Sequence, residues 1–254
     1  MEKHPIIFAG AGPGAPDLIT VRGMKALEHA DYILYAGSLV PEAVLKWAKN
    51  GAAMESSAGM HLDQMVEKMA RAWEQGQRLV RLHTGDPSLY GAIREQMDRL
   101  DRLGIPYEVI PGVTAAFAAA AILKAEYTVP GISQTLILTR ISGRTPVPER
   151  ESLLSLASHK ASMAIYLSSG MAGEVAESLS KNYGPQAPCA ITYKVSHPEQ
   201  KIILTTVDKL AKIMEENKIN RHALIIAGPF LEAADNAQSL LYHKHFSHGY
   251  RKKS

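Results

Sequence analysis

Short apolar runs alternate with amphipathic stretches over the first part of the chain. Ile6-Ile7-Phe8-Ala9 reads as a buried strand, Thr20 to Ala30 as a helix, and Tyr32-Ile33-Leu34-Tyr35 as a second strand. Within that helix Val21, Met24, Leu27 and Ala30 recur at i+3 spacing and predict one buried stripe. From His61 to Glu74, Leu62, Met65, Met69 and Trp73 share a helical face, which reads as core packing. Strands at Arg78 to His83 and Tyr107 to Ile110 flank a helix from Tyr90 to Leu103. This β-α-β alternation predicts a mostly parallel sheet covered by helices.

The pattern changes after Pro111-Gly112. An alanine-rich helix, Thr114 to Leu123, is followed by apolar runs at Thr135 to Arg140, Met163 to Leu167, Ala190 to Val195, Ile202 to Thr206 and Ala223 to Ala227, with two clear helices among them. The turn Ser196-His197-Pro198-Glu199-Gln200 joins two of these runs as a hairpin, so the second sheet should be mixed. The expected organisation is an α/β domain over 1–112, a mixed α/β domain over 113–240 and a polar tail over 241–254.

Composition narrows the field without choosing a function. The chain has 254 residues, 46% hydrophobic and 21% charged, and a net charge of +3, as an ordinary globular protein does. So small an excess gives no footprint for nucleic acid or a membrane surface, while small anionic ligands remain compatible. The longest apolar run, Ala115 to Leu123, has nine residues, against about 20 for a membrane span. Met1 to Pro5 leads directly into a short apolar strand, so no leader is expected. Cys189 is the single cysteine, which excludes an intrachain disulfide and fits a small buried residue in a reducing, cytoplasmic setting. His243, His245 and His248 invite a metal reading, but a polar tail rich in lysine supplies no rigid outer shell, and no metal is expected.

Three turns carry the candidate chemistry. Gly10-Ala11-Gly12-Pro13-Gly14-Ala15 follows a strand and precedes a helix, matching a dinucleotide fingerprint in form. The context argues otherwise: Asp31 stands before the second strand rather than after it, and Pro13 removes an N–H from the loop. The second turn, His83-Thr84-Gly85-Asp86-Pro87-Ser88-Leu89-Tyr90-Gly91, also ends a strand, and Asp86 reads either as a cap or as a ligand acceptor. Pro111-Gly112-Val113-Thr114-Ala115 is the third. All three should converge on one cleft.

The segments GAGPGAPDLITVRG, ADYILYAGSLV, RLHTGDPSLYGAIREQM, YEVIPGVTA and SQTLILTRISGRTPVPE closely resemble the tetrapyrrole (precorrin) methyltransferases of cobalamin biosynthesis, over nearly the whole chain. Within that family YAGSLV, SAGMHL, HTGDPSLYG and SQTLILTRISGRTPVPE look like the branch that methylates precorrin-4, or its cobalt form, at carbon 11. The resemblance implies a homodimer of two α/β domains with S-adenosylmethionine in a cleft between them. It implies cofactor contacts from Pro13, Thr84, Gly85, Asp86, Leu89, Thr114 and Ala115, and from Leu167, Val195 and Gly228 in the second half. Related uroporphyrinogen methyltransferases carry an aspartate after the second-strand tyrosine; here that position is Ala36, so no catalytic base is assigned.

Methyl transfer to a ring carbon needs alignment rather than a covalent enzyme nucleophile, and alignment can supply roughly 7–11 kcal/mol of the barrier. Asp86 and backbone carbonyls would then face the cationic cofactor. The substrate implied by the family carries many carboxylates, so Arg140, Arg144, Ser38 and His83 are the substrate candidates. The rival readings are the same fold acting on another tetrapyrrole carbon and a non-catalytic nucleotide- or RNA-binding module.

Overall fold

The structure, a computed structural model, describes residues 2–37, 40–232, 239, 246, 247 and 249. Ser38, one of the substrate candidates, lies outside the described residues, as do His243, His245, His248 and most of the 241–254 stretch. The chain divides into two compact units, one of Met1–Ala118 with Ser196–Pro198, the other of Ala119–Val195 with Glu199–Ser254.

In the first unit the elements run β1 (Ile6–Gly10), α1 (Val21–His29), β2 (Tyr32–Tyr35), α2 (Glu42–Leu45), β3 (Ala53–Ser56), α3 (Leu62–Glu74), β4 (Leu79–His83), α4 (Ile93–Arg102) and β5 (Tyr107–Ile110), followed by α5 (Ala115–Leu123). The sheet order is β3-β2-β4-β1-β5, and every pairing is parallel. Alternation along β1, which lies between β4 and β5, shows how it is buried on both faces. Ile6 and Phe8 join Leu34, Val66, Met69, Leu79 and Leu100 on the α3/α4 face, while Ala9 joins Leu27, Ile33, Val80, Leu82 and Ile110 on the α1/α2 face. Each fully buried side chain of this size is worth roughly 1.5–3 kcal/mol.

Two local expectations shift. Val21 is 66% exposed, and the inward face of α1 is Gly23, Leu27 and Ala30 with Met24 packed beside them. Thr20 caps the helix, its Oγ1 accepting from Gly23 N at 3.1 Å, and this fixes the phase that turns Val21 outward. The helix expected from Tyr90 begins at Ile93, because Tyr90 and Ala92 have φ of 57° and 49°, left-handed values that a right-handed helix excludes.

The second unit continues with β6 (Leu136–Arg140), α6 (Leu153–Ala157), β7 (Ser162–Tyr166), α7 (Ala172–Tyr183), β8 (Pro188–Tyr193), β9 (Lys201–Thr206), α8 (Leu210–Glu216) and β10 (Ala223–Ala227). Its sheet is mixed, in the order β6-β7-β10-β8-β9. β6 and β7 are parallel, β10 is antiparallel to β7 and β8, and β8–β9 is the expected hairpin. Met163, Ile165, Cys189, Ile191 and Ile225 pack against Leu153, Val175, Leu179, Leu210 and Met214 from the three helices.

Candidate functional site

β4, β1 and β5 are neighbours and parallel, so the loops that follow them leave from one edge of the first sheet. Carboxyl edges of this kind are where open α/β sheets bind ligands. Main-chain bonds tie the first two loops: Ala11 N donates to His83 O at 2.7 Å, Gly85 N to Gly12 O at 2.8 Å, and Gly12 N to Gly85 O at 3.3 Å. A Cβ on Gly10 would stand 2.5 Å from Gly85 O and 2.6 Å from Gly112 Cα, and one on Gly112 would stand 2.8 Å from Gly10 Cα. Gly10 and Gly112 therefore close on each other and on Gly85 O in a three-way backbone junction that admits a side chain at neither, while Gly85 itself holds φ 64°, and the expected convergence of three loops is present.

Asp86 binds the second loop to the third. Its Oδ2 accepts from Gly112 N at 2.9 Å, and its Oδ1 accepts from Ser88 N at 2.8 Å and from Ser88 Oγ. Burial pushes the carboxyl upward, but the bonds from Ser88 and Gly112 outweigh it and leave it below the usual carboxylate value. Of the two sequence readings, the cap is realised within its own turn rather than on α4. The carboxylate nevertheless keeps its negative charge at the junction.

His83 and Arg81 alternate along β4 on its α3/α4 face. His83 is 3% exposed, with Phe8 6.1 Å away ring to ring, and its Nε2 is buried without a hydrogen-bond partner. Burial, aided by the charge of Arg81, pulls the imidazole down to about 3, so it is neutral. Arg81, 4% exposed, donates to Leu34 O and Gln96 Oε1, both at 3.1 Å; burial pulls it down to about 10, and it stays charged at neutral pH.

The first loop has a partner that the sequence reading used only as a turn. Ala15 N donates to Ser196 Oγ at 3.0 Å, and the His197 ring occupies the space beside Gly14. Ser196, at φ 63°, and Lys194, at φ 43°, flank buried Val195, so this turn holds two residues in a conformation that costs energy. Pro13 is buried beside it, Thr114 is 8% exposed, and Thr84, Leu89 and Ala115 are half-buried around the junction.

In the second unit, Arg140 ends β6 and Leu167 and Val195 follow β7 and β8, and because the three strands run the same way these residues stand at one end of the sheet. Leu167 is 68% exposed at φ 53°, an apolar side chain left outside in a left-handed turn. The adjacent Ser168 accepts from Ile141 N at 3.0 Å and donates to Tyr166 O at 2.6 Å. Gly228 is not brought to this end: β10 runs the other way, and a Cβ on Gly228 would meet Ser162 Cα at 3.2 Å, where β7 begins. The residue of this stretch at the Leu167 end is His222, at φ 59°, whose carbonyl accepts from Lys194 N at 2.9 Å. Arg140 turns its guanidinium to its own loop, donating to the carbonyls of Ile141, Thr145 and Pro146, while Arg144 is exposed.

These groups suit S-adenosylmethionine in kind. A sulfonium, an amino-acid head, ribose hydroxyls and adenine are read by backbone groups and short hydroxyls, and residues 84–88 and 112–115 present both beside the Asp86 charge. Among the described residues no group of three or more His, Cys, Asp or Glu could hold a metal ion.

Comparison with known proteins places this geometry. Residues 5–211 match the family model described as tetrapyrrole (corrin/porphyrin) methylases. The chain is 48% identical over 252 residues to the cobalt-precorrin-4 C(11)-methyltransferase of Methanocaldococcus jannaschii, covering 99% of this chain and 97% of that one. It is 47% identical over 247 residues to the precorrin-4 C(11)-methyltransferase of Pseudomonas aeruginosa, covering 97% and 98%. The X-ray structure of a cobalt precorrin-4 methyltransferase, a cobalamin biosynthetic enzyme, superposes with a TM-score of 0.88 at 46% identity, over 90% of this chain and 96% of that one.

Proposed function

The chain belongs to the tetrapyrrole (corrin/porphyrin) methylases, and from that premise we propose that it methylates carbon 11 of precorrin-4 or cobalt-precorrin-4. The observation that carries the reading is agreement over 97% or more of the chain with relatives bearing both names. S-adenosylmethionine supplies an electrophilic methyl group when bound. Pro13, Thr84, Gly85, Asp86, Leu89, Thr114 and Ala115 would hold it.

The protein's part is placement. The glycine junction fixes the backbone of three loops, so their polar groups need little reorganisation when the reactants bind, and positioning of this kind is worth roughly 7–11 kcal/mol. Asp86 keeps a negative charge there and favours a cationic ligand. His83, buried and neutral beside Phe8, packs within the fold rather than meeting a carboxylate, and Arg140 stiffens the loop that presents Arg144. Arg144 is therefore the better candidate for a substrate carboxylate.

A cytoplasmic homodimer belongs to the same proposal. No helix of the described residues is long and apolar enough to cross a membrane. Helix α5 is apolar throughout and leaves Phe117 55% exposed, a surface suited to a second copy. Light scattering on Phe117→Glu checks it: a mass unchanged from the native chain would remove this face from the interface.

Incubation with methyl-labelled S-adenosylmethionine and precorrin-4 or cobalt-precorrin-4 tests the activity. The expected product gains one methyl at carbon 11. Transfer to another carbon would move the chain to a different branch, and no transfer to either form would overturn the reading.

A further inference from the structure

A second concave surface lies at the other end of the first sheet. A groove of about 350 Å³ opens between α1 and the starts of β1 and β4. Its floor is apolar, made by Ile7, Val80 and Ile110 on the α1 face of the sheet. Its rim is cationic. Arg22, Lys25 and His29 come from positions i, i+3 and i+7 of α1, on a flank beside the buried Gly23 and Leu27, and His4 and Arg78 come from the residues that lead into β1 and β4.

One carboxylate, Glu108, lines the groove, and it is taken up by Arg22 at 2.7 Å across from α1 to β5. The arginines and lysine against Glu108 leave an excess of two positive charges in one groove of a chain whose whole excess is +3. A concave surface with a net positive charge over a low-dielectric floor raises the local concentration of anions. The groove is also distinct from the glycine junction, since Arg78 precedes β4 and Gly85 follows it, with the whole strand, about 16 Å at roughly 3.3 Å per residue, between them.

We propose that this groove is a second ligand site, for a nucleoside phosphate. Its volume is within the range of small-molecule sites, about 300–1,000 Å³, and corresponds to roughly a dozen water molecules at about 30 Å³ each. A flat apolar base suits the floor, and a phosphate or diphosphate suits Lys25 and Arg78 on opposite walls. The inference does not depend on the methyl-transfer reading.

Calorimetric titration of the full chain with ADP, AMP and pyrophosphate, with and without saturating S-adenosylhomocysteine, tests it. ADP should bind in both conditions, more tightly than pyrophosphate, with affinity falling as salt rises. The double variant Lys25→Ala/Arg78→Ala, whose side chains are exposed, should weaken ADP at least tenfold and leave S-adenosylhomocysteine binding unchanged. Absence of ADP binding at millimolar concentration would overturn the proposal. So would displacement of ADP by S-adenosylhomocysteine, undiminished binding to the double variant, or pyrophosphate binding as tightly as ADP.

Discussion

The imidazole of His197 stands where a side chain on Gly14 would have to be: a Cβ there would be 2.8 Å from Nε2 and closer still to Cδ2. With Ser196 Oγ accepting from Ala15 N at 3.0 Å, the hairpin turn between β8 and β9 clamps the first glycine loop over two consecutive residues.

Gly14→Ala should therefore displace His197 and weaken S-adenosylhomocysteine binding about tenfold, in line with overpacking costs of roughly 1–3 kcal/mol. Because the obstruction is a side chain, His197→Ala should restore much of the loss in the double variant. Gly112→Ala, obstructed by the main chain of Gly10 and Gly85, should admit no such rescue. A four-corner binding cycle checks this, and strict additivity of Gly14→Ala and His197→Ala would remove the clamp.

Asp86 is expected to act through the loops it joins. Asp86→Ala strands Gly112 N and Ser88 N, each bonded to a charged acceptor, and should cost about 2–4 kcal/mol of stability. Asp86→Asn keeps one carbonyl acceptor and should lose less stability but still lose cofactor affinity, since the negative charge is gone. Binding isotherms beside urea melts separate the two effects. Native affinity and turnover in the asparagine variant would exclude a charge role.

What was legible in the sequence followed periodicity. The uninterrupted run Ile6 to Ala9, and the run Leu79 to Leu82 broken only by Arg81, reveal strands buried on both faces, and the first two glycine loops sit at the ends of these strands. β3 was not legible, because Ala53 and Met54 on this edge strand are exposed and its four residues carry no alternation. Helix α2, four residues after Pro41, is too short to show a period. Val21 and Tyr90 misled for a different reason: a cap and two left-handed residues set the helix starts, and neither alters the hydrophobic pattern.

The candidate site divides along the same line. Loop convergence in the first unit follows from parallel strands, which all end at one edge. In the second unit the direction of β10 decides which end of its run faces Leu167, and an apolar run such as Ala223 to Ala227 does not encode its direction. The hairpin fixes β8 against β9 but not β10 between β7 and β8. His222 and Gly228, five residues of strand apart, were therefore indistinguishable until the register was known. His197 had a local signal, a histidine in a tight polar turn, but its partner Gly14 is far away in sequence.

His83 should make the native state acid-sensitive. The unfolded imidazole takes up a proton near 6.5, whereas burial and the neighbouring Arg81 charge withhold it in the fold until about 3. Stability from this group is thus fully present above 6.5 and falls as pH drops toward 3, by about 1.4 kcal/mol per unit. Between pH 7 and 4.5 the native chain should lose about 2–3 kcal/mol more than His83→Gln does, by urea unfolding. Parallel losses in the two proteins would show that His83 is solvated.

Cys189 should reveal itself at the opposite end of the pH scale. It is 1% exposed in β8, and burial, with the charge of Asp208, pushes its thiol from 9.0 up to about 12. Above pH 9 the unfolded chain releases a proton that the native chain retains, so stability declines with rising pH by about 1.4 kcal/mol per unit until about 12. The half-buried Tyr183, whose hydroxyl is pushed up to about 12 by desolvation, adds a slope of the same sign, so the difference between native chain and Cys189→Ala is the quantity to measure. That difference should favour the variant increasingly from pH 9 to 11, while methyl transfer at pH 8 stays at the native rate because the thiol is sealed in the core of the second unit. Rapid labelling of the folded protein by a thiol reagent at pH 8 would contradict both halves of the expectation, since a protonated, buried sulfur offers no thiolate to react.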